Sequence, residues 1–264
     1  MNILKHELKL YRNTTIIWTA ALVLVIIMFT SIFPAFQGSA EAMNKVLDSF
    51  PEALKQALGL STMDLSSALG FLGFMFAYVV LVGGIQAMNL GLSILSNEQR
   101  DKTADFLLAK PVKRINVVHA KFIAGLINII GTNIVFAIVT VVSISVIERN
   151  FSLKILMLFI GSLFLIQLFF LSFGMLLSVF MDKLKTVVPV SLGVVFGFFI
   201  LNLLNESLSG KPLTAISPFA YFSTTGIYEN SAYEMKWLIL NCVLVVVFTI
   251  GAYVKYIKKD IPSV

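Results

Sequence analysis

Charge is what this sequence most conspicuously lacks. Only 13% of its 264 residues are Asp, Glu, Lys or Arg, where a soluble domain carries about a quarter. Hydrophobic types make up 58%, and mean hydropathy is +0.92. That balance excludes a water-soluble globule and marks an integral membrane protein. Cysteine is nearly absent too. Cys242 stands alone in an apolar run, so neither a disulfide framework nor a Cys/His metal centre can be built from one Cys and two His. The motifs of catalysis are also missing. There is no H-E-x-x-H and no G-x-S-x-G, so no signature of an intramembrane hydrolase is present. There is no G-x-x-x-x-G-K-[ST], so the chain cannot be its own ATPase. No catalytic residue, metal ligand or cofactor site is assigned, and the chain is not expected to be an enzyme.

What is present is a series of long apolar runs. They predict an all-α integral membrane protein, one transmembrane domain over residues 1–264, with spans at 14–36, 69–95, 122–147, 155–180, 187–204 and 237–254. Before the first span, residues 1–13 place Ile3, Leu4, Leu8 and Tyr11 at helical spacing with Lys5, Lys9 and Arg12 opposite. This predicts a separate helix lying in the membrane interface. The apolar run after it is too long for a signal-peptide core, so an uncleaved anchor is expected. Residues 37–67 carry helical apolar spacing at Met43, Val46, Leu47 and Phe50, then at Ala53, Leu54, Ala57 and Leu58, with a break at Pro51. They read as two short amphipathic helices on the membrane surface. Residues 205–235, rich in Pro and aromatics, read as a second segment outside the spans that dips partly into the membrane.

Positive charge fixes the orientation. With the N-terminus inside, Lys5, Lys9, Arg12, Arg100, Lys102, Lys110, Lys113, Arg114, Lys121, Lys183, Lys185, Lys255, Lys258 and Lys259 are cytoplasmic. Lys45, Lys55, Arg149, Lys154, Lys211 and Lys236 are outside, which accounts for all 20 Lys and Arg. Both termini are then cytoplasmic, and the expected setting is the plasma membrane of a bacterial cell. The net charge of +6 is a topology signal that needs no nucleic-acid partner. The predicted spans hold no Asp, Glu, Lys, Arg or His, unlike the spans of ion-coupled transporters. They hold Gln86, Asn89, Asn128, Thr132, Asn133, Gln167, Asn202 and Asn241, which read first as interhelical hydrogen-bonding groups and second as a substrate path. Gly83, Ala87 and Gly91 form a small-xxx-small ladder, and Gly193 and Gly197 a second one. Each ladder suits close packing within one subunit or between two. Asn150-Phe-Ser152 and Asn205-Glu-Ser207 match the glycosylation pattern, which is too short to carry weight. His6 and His119 read as interfacial residues.

The densest charged run, Ser96 to Arg114, separates spans two and three. Ser96 and Gln99 have capping-box spacing, which predicts a helix start there. Ala104, Leu107 and Leu108 share a stripe with Phe106 beside it, and Pro111 stops the helix near Lys110. The expected product is a short amphipathic helix just outside the membrane, with a small apolar face flanked by Arg100, Lys110, Lys113 and Arg114. The alternative is a solvated loop that carries only topology charge.

The run E-x-x-x-x-T-x-[DE]-x-L-L-x-x-P-V-x-R, seen here as Glu98, Thr103, Asp105, Leu107, Leu108, Pro111, Val112 and Arg114, resembles the cytoplasmic signature of ABC-2 type transporter permeases. These are membrane subunits of one class of ATP-binding-cassette exporters. Lys102 stands where that family often has Gly, and Asp105 where it often has Glu, which bears on subfamily. The resemblance implies that 96–114 is a coupling helix, with Glu98, Thr103, Asp105, Phe106, Leu107, Leu108, Pro111 and Arg114 as its contact residues. It implies a separate ATP-binding-cassette ATPase that binds ATP and Mg, a second permease subunit (identical or different), and a bilayer around both. The cargo would be a drug, an antimicrobial peptide, a lipid-like molecule or an ion. A reading from another class is a non-transport immunity or sensor protein that binds a peptide or lipid at its outer face through 37–67 and 205–235.

Overall fold

The computed structural model describes residues 3–38, 50–51, 65, 67–100, 113–181, 186–208 and 212–258. Among these, all regular structure is helical: α1 Ile3–Gly38, α2 Ala68–Arg100, α3 Arg114–Ile147, α4 Leu153–Phe180, α5 Val188–Ser207, α6 Pro218–Tyr221, α7 Thr224–Asn230 and α8 Met235–Lys258. Six of them, α1 to α5 and α8, are long and apolar enough to cross a membrane. Helix is the expected outcome, because a chain in hydrocarbon must satisfy its backbone polar groups within the segment.

Two expected boundaries are corrected. α1 runs unbroken from Ile3 to Gly38, so residues 3–13 are the first turns of a 36-residue helix rather than a separate one. Neither Pro nor Gly stands near Asn13 to break it, and at about 1.5 Å per residue it is some 54 Å long, against about 30 Å for a hydrocarbon core. Lys5, Lys9 and Arg12 are exposed while Glu7 and Tyr11 are buried, so the amphipathic reading of this stretch keeps its two faces. Ser96 does not cap a new helix either. It lies inside α2, is 2% exposed, and its Oγ donates to the Leu92 carbonyl at 2.6 Å, while α2 continues to Arg100. A hydroxyl that bonds four residues back sits within a helix and does not cap the start of one.

Helix directions follow from residue offsets. α1 meets α3 at Glu7–Lys121, Thr15–Asn128 and Thr19–Thr132, separated by 114, 113 and 113 residues. A constant offset over three turns means parallel helices in register. α2 and α4 are likewise parallel: Gly83 lies against Leu163 and Gln167, and Gly91 against Leu171 and Met175. α8 joins α4 in the same sense, through Asn241 Nδ2 to the Leu165 carbonyl and Gly251 against Leu176. α2 opposes α3, since Phe76 meets Phe136 while Ile94 meets Lys121. The bundle therefore has one end bearing residues 3, 100, 114, 180, 188 and 258, and a far end bearing 38, 68, 147, 153, 207 and 235.

α2 and α4 form the centre, and small residues let them approach. A Cβ at Gly91 would overlap the Leu171 carbonyl oxygen, and one at Gly174 would stand 2.9 Å from the Met88 carbonyl oxygen. The Gly83/Ala87/Gly91 ladder is thus consumed within the chain. Gly193 and Gly197 differ: both are exposed on α5, and a Cβ on either would meet nothing within 4 Å. Aromatic rings fill the rest. Phe76 stacks on Phe159 at 5.4 Å, and Phe169 touches the rings of Phe170, Phe173, Phe198, Tyr221 and Phe248.

At the far end, Glu148 Oε2 accepts from the Ala68 backbone N–H at 2.9 Å, a carboxylate seated on the start of α2. The segment after α5 then folds back along the bundle. Asn205 is fully buried, and its Oδ1 accepts from Leu213 N at 2.8 Å, so the Asn205-Glu-Ser207 pattern is a structural staple rather than a modification site. Ser217 Oγ donates to the Phe198 carbonyl at 2.9 Å, nine residues before the end of α5 and so about 13 Å back along it. Phe219 packs on Phe170 and Phe199, and Tyr221 stacks on Trp237 at 5.7 Å. The expected helices within 37–67 lie outside the described residues.

Tyr233 pins the last connection by donating to the Leu158 carbonyl at 2.5 Å, in space left by Gly161. Burial pushes its phenol from 10.0 up to about 12. A raised folded value favours the protonated form, so this contribution is intact below pH 10 and is lost as pH climbs from 10 toward about 12. Thermal unfolding followed between pH 9 and 12 should show that alkaline loss, and Tyr233→Phe should flatten it.

Candidate functional site

The end of the bundle that bears Ile3 and Lys258 holds a buried ion pair absent from any sequence motif. Lys121 is fully buried on α3. Its ammonium donates to Glu7 Oε1 on α1 at 3.0 Å and to the Ile94 carbonyl on α2 at 2.6 Å. One cation thus ties three helices, and it does so two residues before Ser96, where the charged run begins. The pair is a correction to the reading of Lys121 as a plain topology charge. A signal for it exists in the sequence. Lys121 shares the buried stripe of Val117, Val118, Ala124, Gly125 and Asn128, and Glu7 falls three residues after Leu4 and four before Tyr11. A charge on the inward stripe of each of two helices points to a pair.

Above the ion pair, the neutral polar residues join into a chain across four helices. Thr15 Oγ1 donates to Asn128 Oδ1 at 2.8 Å, and Thr19 and Thr132 hydroxyls are 2.9 Å apart. Gln86 Nε2 donates to Thr132 Oγ1 at 3.0 Å, Gln167 Nε2 to Gln86 Oε1 at 3.1 Å, and Asn133 Nδ2 to Gln167 Oε1 at 2.5 Å. Gln86, Thr132, Asn133 and Gln167 are all buried. These groups serve interhelical hydrogen bonding, the first of the two readings. Each such bond in a membrane is worth about 0.6 kcal/mol on average, so their main effect is to fix which faces of α1 to α4 meet. Asn89 accepts from Ser93 within α2 at 3.3 Å. Asn202 stands apart, on the wall of a cavity near the far end.

Of the residues expected to contact an ATPase, Arg114 is described. It opens α3, and its Nη1 donates to the Ile257 carbonyl of α8 at 3.3 Å. Glu98 is in the last turn of α2. Thr103, Asp105, Phe106, Leu107, Leu108 and Pro111 lie outside the described residues. The segment that carries them is bounded by two anchored points, the α2 exit below the Lys121 clamp and the Arg114 start of α3. His119 Nδ1 is 3.3 Å from the Tyr253 hydroxyl on an exposed face, and His6 is exposed, in keeping with interfacial roles. Among the described residues no group of His, Cys, Asp and Glu could hold a metal ion.

Comparison with known proteins gives one finding. The sequence model of the family described as ABC-2 family transporter protein matches residues 1–261. A search of curated proteins returns no match. The match takes in all six apolar helices, the charged run between α2 and α3, and the folded-back segment between α5 and α8: the chain belongs to the ABC-2 family transporter proteins.

Proposed function

We propose that this chain is the permease subunit of an ATP-binding-cassette exporter, forming the membrane path and taking its energy from a separate ATP-binding subunit. The observation that carries this reading is the clamp at Lys121. A segment that relays force into a bundle needs a rigid root, and the two helices that flank 101–112 in sequence, α2 and α3, are tied to each other and to α1 by a buried ion pair. Leu107 and Leu108, with Phe106, supply a hydrophobic anchor for a groove on the ATPase. Arg100, Lys110, Lys113 and Arg114 pair with its acidic groups or with lipid phosphates. ATP and Mg belong to the partner. Both termini and this segment face the cytoplasm, and residues 212–230 form a re-entrant turn on the opposite side.

A second permease copy, identical or different, completes the path. The exposed Gly193/Gly197 face of α5 is available for that contact, whereas the α2 ladder is already used against α4. The cargo is a drug, an antimicrobial peptide, a lipid-like molecule or an ion.

Leu107→Asp combined with Leu108→Asp should abolish co-purification with the ATPase while the permease still inserts and folds. Protein purified without its partner should hydrolyse no ATP. Normal retention of the ATPase by the double variant sinks the coupling assignment.

A further inference from the structure

The outward face of the first turns of α1 carries three cations in line. Lys5, Lys9 and Arg12 follow i, i+4 and i+7 spacing, so they share one stripe, and all three are exposed. The opposite side is buried. Glu7, the sole acid of α1, accepts from Lys121 there at 3.0 Å, and Tyr11 follows one turn on. None of the three cations makes a hydrogen bond or ion pair with a described residue. Past Arg12 the same stripe turns apolar, through Ile16, Ala20 and Ile27, all exposed. Charge therefore runs straight into lipid-facing side chains on one unbroken helix.

Depth decides what this stripe can meet. The charge-free run begins after Arg12, at about Thr14. At about 1.5 Å per residue Arg12 stands about 3 Å outside that point, Lys9 about 7.5 Å and Lys5 about 13.5 Å, while head groups occupy about 5–7 Å on each side of the hydrocarbon. Helical side chains lean toward the N-terminus, here away from the hydrocarbon, so Arg12 and Lys9 bring their charge to the phosphate level and Lys5 stands beyond it. A guanidinium grips a phosphate through two parallel N–H donors, and an ammonium attracts it as a point charge. The complement of the stripe is an anion at head-group depth that is joined to hydrocarbon lying along Ile16 and Ala20. A free phosphate has nothing to place on those two residues.

We propose that this face of α1 seats an anionic phospholipid. Arg12 and Lys9 hold its phosphate, its acyl chain runs along Ile16 and Ala20, and Lys5 adds attraction from the water side. The bound lipid fixes the depth of the helix that carries Glu7. The seat stands on the exposed stripe of α1 alone. That its leaflet is the cytoplasmic one rests on the orientation proposed for the permease.

The full chain in vesicles, with one lipid mixture in both leaflets and no ATPase, tests the seat whichever way the chain inserts. Trp18, half-buried on α1 and about 9 Å deeper than Arg12, is the reporter. With Trp237→Phe it is the sole tryptophan. Its quenching by dibrominated phosphatidylglycerol, compared with dibrominated phosphatidylcholine of the same chains, gives the relative affinity of the two lipids beside it. Where Trp237→Phe fails to fold, the difference from Trp18→Phe gives the same quantity. Phosphatidylglycerol should be favoured about fivefold or more at low salt, the scale of one cation near an anionic surface, and less at about 0.5 M salt. Lys9→Gln with Arg12→Gln should abolish the preference, and Arg12→Gln alone should remove more of it than Lys5→Gln. Lys255→Gln with Lys258→Gln, which removes two exposed cations of α8 at the same end, should leave it in place. Equal quenching by the two lipids in the parent overturns the proposal. So does a preference that survives the loss of Lys9 and Arg12, or an equal fall in the α8 variant, which would make net charge the cause. If the Lys9 and Arg12 variant keeps its lipid preference but loses an ATPase, the stripe is a protein surface and the proposal falls. The lipid measurements do not bear on whether Leu107 and Leu108 hold an ATPase.

Discussion

Lys121→Ala is expected to destabilise the bundle by about 3–5 kcal/mol, the usual cost of removing one partner of a buried ion pair. The side chain is fully buried and makes two close contacts, to Glu7 at 3.0 Å and to the Ile94 carbonyl at 2.6 Å. Its loss removes the cation facing a carboxylate that is itself 2% exposed. Unfolding titrations in mixed micelles should show the loss. The double variant Glu7→Leu with Lys121→Met should recover most of it, because apolar residues of similar volume often replace a buried pair without penalty. If the recovered protein binds the proposed ATPase partner but supports no transport, the pair serves coupling as well as folding. An equal loss in the single and double variants would show that packing at this point, not charge, holds the three helices.

Gly91→Val should be nearly as damaging, at about 1–3 kcal/mol or more, because overpacking a tight core forces backbone shifts. The added Cβ runs into the Leu171 carbonyl, and the Met175 backbone nitrogen lies just beyond at 3.1 Å. A flexible side chain could swing aside, but a helix backbone cannot, so α2 and α4 must separate. Gly193→Val and Gly197→Val form the control. A Cβ at either position meets nothing within 4 Å, so each should leave the isolated chain's stability near that of the parent. If these two variants instead abolish association between chains, the two glycine ladders divide the work: one within a subunit, the other between subunits. Cross-linking of detergent-purified chains reads that difference.

The spans were legible in the sequence because hydrocarbon leaves helix as the sole local answer for a long apolar run. Five of the six expected spans, from 14–36 to 237–254, lie inside observed helices, and the span expected from Val187 starts one residue early. Helix ends were less legible, and for a physical reason. Polar residues that can cap a helix can also continue one, and Ser96 does the latter by bonding back to Leu92. The same holds at Asn13, where a change in side-chain polarity leaves the backbone unbroken. Which helix faces which was beyond the sequence. The Gly83 ladder permits either an internal or an external partner, and what decides is that α4 offers Gly174 and the Leu171 carbonyl at the matching height. The Glu7–Lys121 pair shows the opposite case. Each charge sits on the inward stripe of its own helix, so the sequence contained the pair once the stripes were followed past the span ends.

The 113-residue offset between α1 and its partners in α3 also sets the order of assembly. Synthesis runs at about 5–20 residues per second, so α1 waits roughly 6 to 23 s for the helix that receives Thr15 and Thr19. In that interval the two hydroxyls can bond back to carbonyls of their own helix, as Thr30 and Ser31 do permanently in this structure. The Glu7 contact to the Lys121 ammonium forms only once Lys121 has been made. The Glu7 face of the first helix is therefore covered by its Lys121 partner only after α3 arrives. Truncation before residue 121 leaves the first helix without the cation that closes over Glu7.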